Sequence, residues 1–168
     1  MLIYHPVFDL YNGIFRLLLI LEHLPSEPHP LERVQLLDFY LLFPGLLSEM
    51  RFDRSLSGYK QMLTGKRNAY NEIYDPLKIF TRLSKYQHVA LQTLASYGLI
   101  DSEKLKSNIV LKTNKPLPSK LSGQVREAYH KDQVIVDFLC EHFNKIALQG
   151  KNGLKSKTGL FEYRYDPN

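Results

Sequence analysis

At 168 residues the chain is sized for one domain with a real core. Hydrophobic residues at 44% and charged residues at 23% exclude a disordered polar chain, and a single cysteine, Cys140, excludes an internal disulfide or a zinc site built from cysteine pairs. The net charge of +5 and pI of about 9.2 favour an acidic partner such as nucleic acid.

That charge is unevenly spread. Residues 1–50 carry two basic side chains, Arg16 and Arg33, against six acidic ones, a net of −4 that leaves +9 for the remainder. The chain opens Met1-Leu2-Ile3-Tyr4-His5-Pro6 with no basic leader, and its greasiest run, 17–21, lies between Arg16 and Glu22 and is too short to span a bilayer. A soluble, cytoplasmic protein without membrane contact is expected.

A first helix is predicted over 6–24, with Pro6 in its first turn and Asp9 as an N-terminal cap. Leu10, Ile14, Leu17, Leu18 and Leu21 follow helical spacing, yet Phe15, Leu19 and Ile20 fill the other faces. Pro25, Pro28 and Pro30 separate it from a second helix over 31–43, again apolar nearly all round and stopped by Pro44-Gly45. Two such helices are either central to the core or covered by another chain. The small size of the domain favours the second, with Phe8, Phe15, Leu19, Phe39, Tyr40 and Phe43 as the partner interface and Asp38 in an interface salt bridge.

A polar stretch over 51–70 reads as a short helix between loops; its Gly65-Lys66 lacks the first glycine, the Ser/Thr and the strand of a P-loop. Asp75-Pro76 reads as a cap and first turn for a helix over 77–83, and Ser84 as the cap of another over 85–97 that Gly98 terminates. Strand character at 108–113 and a turn at 114–118 follow, then a long helix over 122–148 ended by Gly150. A Lys/Gly segment at 151–157, read as a flexible solvated connector, leads to Phe161, Tyr163 and Tyr165. There is no internal repeat.

Helix, turn, helix, strand and basic turn is the order of a winged helix. The expected fold is therefore mainly α: one domain over 1–168, in which an N-terminal helical pair (1–50) precedes a winged-helix-like segment (75–120), a long helix (121–150) and a basic, aromatic tail (151–168). In that reading Lys85, Gln87 and His88 open a recognition helix and reach base edges or phosphates, while Lys112 and Lys115 hold backbone from the wing. Lys151, Lys155 and Lys157 form a second basic cluster. Winged helices also serve purely as protein-binding modules, and lysine-rich loops are commonly just solvated edges.

Catalytic signatures are missing. The histidines at 5, 23, 29, 88, 130 and 142 form no HExxH pattern, His23 and His29 flank a proline-rich loop as surface residues do, and no GxSxG or dinucleotide loop occurs. Cys140, set among Val136, Phe138 and Leu139, reads as a buried hydrophobe rather than a nucleophile. No enzyme activity, metal or cofactor is expected.

The words "YHPVFDLYNGIFRLLLILEHL", "LLDFYLLFPGLL", "KYQHVALQTLASYGLID" and "LKTNKPLP" resemble the middle component of ABC-three-component systems, a group that includes Lamassu-type antiviral defence. The resemblance is sharpest at Tyr4-His5-Pro6, Phe8-Asp9, Arg16, Asp38-Phe39 and Phe43-Pro44. It implies a non-catalytic adaptor joining an SMC-like ABC-type ATPase to an effector subunit, often a nuclease, with double-stranded DNA met through the complex. A stand-alone winged-helix transcription regulator is the alternative that the residues themselves leave open.

Overall fold

The computed structural model describes residues 5–64 and 75–161. Part of the polar stretch around Gly65-Lys66, together with Tyr163 and Tyr165 of the tail, lies outside the described residues. The fold is mainly helical, as expected. After a 3-10 turn at Pro6–Phe8, Asp9 adopts an extended backbone and its carboxylate accepts the Asn12 amide at 2.9 Å, which starts α1 (Leu10–His23). Extended Leu24 and the prolines beyond it break the helix, and β1 (His29–Pro30) leads directly into α2 (Leu31–Leu42). Pro44–Glu49 and Arg54–Leu56 form 3-10 turns before α3 (Ser57–Thr64).

Next comes α4, one continuous 21-residue helix (Pro76–Ser96). Asp75 caps it by accepting from the Lys78 amide at 3.1 Å, and Gly98 terminates it at φ +73°. The turn expected at Ser84 is not formed. The buried positions Phe80, Leu83, Gln87, Ala90, Leu91 and Leu94 run through it at unbroken helical spacing, and the Ser84 hydroxyl turns back to donate to the Thr81 carbonyl at 2.8 Å. Without that turn the helix–turn–helix half of the winged-helix reading is lost.

The wing also takes another form. Asp101 caps α5 (Ser102–Lys106), accepting from the amides of Glu103 and Lys104. Asn108 at φ +58° then turns the chain into β2 (Ile109–Val110). This strand pairs antiparallel with β1, His29 opposite Val110 and Pro30 opposite Ile109, while Lys112 bridges back to Ile100. The lysine-rich stretch is thus pinned to the N-terminal half of the chain.

The long helix expected over 122–148 begins earlier and ends irregularly. α6 (Ser119–Asp137) is kinked at Asp132, continues as a π-helical turn at Phe138–His142 and closes with a 3-10 turn at Phe143–Lys145. The segment after Gly150 is no flexible connector. Gly153 is required because a Cβ there would run into the Gln149 carbonyl, and α7 (Leu154–Thr158) buries Leu154 completely.

The centre of the molecule is the N-terminal pair. α1 packs against α2, α4 and α6, and α2 packs against α1, α4, β2 and the π-helical turn. Leu17 to Leu21 of α1 and Val34 to Tyr40 of α2 are buried throughout, and a helical stretch covered on every side needs no polar face. Cys140 is buried here as expected; burial, followed by Asp137 and Glu141, pushes its thiol up to about 12 from 9.0. A thiol reagent should therefore leave Cys140 untouched in the folded protein at pH 8 and modify it fully in denaturant; fast reaction in the native state would contradict the packing. Because the folded pKa is raised, the stability due to the neutral thiol is complete below pH 9 and is lost as the pH climbs towards 12, so unfolding midpoints should fall across that window. No described helix is long and apolar enough to cross a membrane.

Candidate functional site

Three helices meet at one buried polar cluster. From α1, Arg16 donates through Nε to Asp38 Oδ1 at 2.8 Å and through Nη2 to Oδ2 at 3.2 Å. From α4, Gln87 Nε2 donates to Asp38 Oδ2 at 2.8 Å and to the Gln35 carbonyl at 3.0 Å. Asp38, on α2, is 0% exposed and Gln87 1%. A fully desolvated carboxylate persists only when such donors surround it. The orientation of the Gln87 amide follows from its neighbours: both are acceptors, so Nε2 must face them, which leaves Oε1 buried without a partner among the described residues. Arg16 and Asp38, two of the residues that carry the family resemblance, are thus one ion pair.

This cluster corrects two readings. Gln87 points into the core and cannot read a base, and the Asp38 salt bridge lies within the chain rather than across an interface. Of the six expected interface residues, Leu19, Phe39, Tyr40 and Phe43 are buried inside this chain's own core. Phe39 sits at its centre, with ring centroids 5.2 Å from Tyr40, 5.0 Å from Phe43 and 5.4 Å from Phe80. Phe8 and Phe15 remain half-buried at the surface.

The candidate DNA-binding side chains are scattered. Lys85 and Lys151 are exposed, and His88 is half-buried. Lys112 pairs with Glu22 at 2.9 Å, and Lys115 Nζ donates to the Tyr97 carbonyl at 2.6 Å. Lys155 is buried and paired with Glu32 at 3.0 Å, which ties α7 to α2. Lys157 Nζ donates to the Arg51 carbonyl at 3.0 Å. Four of these six lysines thus brace the fold. Nor are His23 and His29 simple surface residues: His23 stacks on Tyr129 at 4.1 Å, and buried His29 bonds through Nε2 to the Pro25 carbonyl. Among the described residues no three His, Cys, Asp or Glu side chains gather where a metal could sit.

What the sequence reading missed is the exposed apolar stripe of α4. Tyr86 and Val89 stand out of the helix on one side, and Tyr97, the residue that caps its C-terminus, follows eight residues after Val89 and is 64% exposed. Phe8 packs on Tyr86 at 5.4 Å and carries the Arg82 guanidinium 4.0 Å over its ring. On α1, Leu10 and Tyr11 are also exposed, Tyr11 by 69%, and Tyr11 and Phe15 line a shallow groove against Ala128 of α6. The spacing of Tyr86 and Val89 lies within the helix expected over 85–97, but only the packing of the opposite face of α4 on α1 and α2 decides that this side is left uncovered.

No curated protein and no solved structure matches the chain. One family model does, over residues 2–166: Middle Component 5 of ABC-three-component (ABC-3C) systems. With nearly its whole length matched, the chain belongs to that family of ABC-3C middle components.

Proposed function

We propose that this chain is a non-catalytic adaptor that joins an SMC-like ABC-type ATPase to an effector subunit, possessing no reaction of its own, within a Lamassu-type antiviral defence complex that acts on or senses DNA. The observation that carries the reading is family membership as a middle component of a three-component system. The exposed apolar side chains of α4 and α1 support it: Tyr86, Val89 and Tyr97 on a closed, well-packed body are the kind of anchors on which interfaces concentrate their energy. A stand-alone regulator fits less well, because its recognition helix would have to spend Gln87 on the core.

Co-expression with the SMC-like ABC-type ATPase of its three-component system should yield a stoichiometric complex. Tyr86→Glu combined with Val89→Glu should weaken capture by about 30-fold, as expected for two anchors worth about 2 kcal/mol together, while leaving the circular dichroism unchanged. A well-folded wild-type monomer with no affinity for the co-expressed ATPase would overturn the proposal.

A further inference from the structure

A cleft of about 670 Å³ opens between the segment 51–56, which enters α3, and the segment 142–157, which follows α6. This volume suits a small ligand. Arg51, Lys145 and Lys157 line it, and among the described residues Asp53 is the one acidic side chain beside them. Lys157 is held in place by its bond to the Arg51 carbonyl, which fixes an ammonium where the two segments meet. Among the described residues none of these three cations forms an ion pair, unlike Lys112 with Glu22 and Lys155 with Glu32. Uncompensated positive charge around a concave, partly apolar wall focuses its field into the opening and attracts an anion.

The lining narrows the chemistry. Ser55 and Asn152 add neutral donors to the three cations, more donors than a single carboxylate can use and well matched to the several acceptor oxygens of a phosphate. Phe52 also lines the cleft, braced against Phe138 with ring centroids 5.4 Å apart, and gives an apolar wall on which a base can rest. We propose that this cleft binds the phosphate of a nucleotide unit, with Arg51 and Lys145 as its charged contacts and Lys157 completing the cradle. None of the expected recognition or wing residues takes part.

The full chain, titrated at low salt with inorganic phosphate, with ATP free of metal and with a short single-stranded oligonucleotide, tests the site. ATP or the oligonucleotide should bind saturably and raise the melting temperature. Arg51→Ala combined with Lys145→Ala should cut that affinity at least tenfold with unchanged circular dichroism, while Lys85→Ala combined with Lys120→Ala, at exposed positions that do not line the cleft, leaves it intact. Binding of the oligonucleotide alone identifies a nucleic-acid backbone as the source and ATP a free nucleotide, whereas binding of inorganic phosphate alone overturns the nucleotide assignment. Absence of saturable binding by all three, or an equal loss in the control variant, overturns the inference. The adaptor reading is tested by capture of the ATPase, so either can fail while the other stands.

Discussion

Replacing Asp38 with alanine is expected to remove about 3–5 kcal/mol from the free energy of unfolding, measured in urea or guanidinium. The carboxylate is fully buried and receives two bonds from Arg16 and one from Gln87. Its loss leaves the largely buried Arg16 guanidinium without its carboxylate and the Gln87 amide with the Gln35 carbonyl alone. For a protein of this size the loss is a large part of the total and corresponds to a fall in Tm of roughly 6–20 °C. The triple variant Arg16→Met, Asp38→Leu, Gln87→Leu should recover much of it, since apolar side chains of similar volume carry no desolvation penalty. A single Asp38→Ala variant within about 1 kcal/mol of wild type would show that the cluster does not hold α1, α2 and α4 together.

Phe39→Ala is the second large effect, expected at about 3–5 kcal/mol. Its ring contacts Tyr40, Phe43 and Phe80, so truncation leaves a cavity that the crossing of α2 with α4 cannot close. The measurement also separates two roles. A core residue loses stability first and partner binding only through unfolding; an interface residue loses binding at full stability. A stable Phe39→Ala variant that no longer captures the ATPase would return this residue to the interface, against its complete burial.

Local punctuation was readable from the residues. Asp9 and Asp75 cap their helices through side-chain acceptors, Pro44 follows directly on the end of α2, and Gly98 supplies the left-handed residue after α4. These signals act within one turn of backbone and need no distant partner. Ser84 shows their limit. Serine caps a helix when the chain before it is extended, but here the apolar stripe from Phe80 to Leu94 continues through it, and packing on α1 and α2 outweighs the cap. The same stripe placed Gln87 inward, although glutamine at the start of a presumed recognition helix looks like a reader of bases.

By itself, the sequence determined that the chain is mainly helical, where α2 begins and ends, how α1 and α4 are capped, and which family it resembles, because periodicity, caps and whole words of residues are local properties. Only the tertiary structure decided that the two greasy helices are covered by this chain itself, that Lys112, Lys115, Lys155 and Lys157 act as internal braces, and that β2 pairs with His29–Pro30 about eighty residues earlier. The reason is physical. A hydrophobic face specifies that something must cover it, and a lysine that something must accept from it, but neither specifies the partner. That choice is made when helices distant in sequence pack together and the remaining charges find the acceptors that the packing leaves within reach.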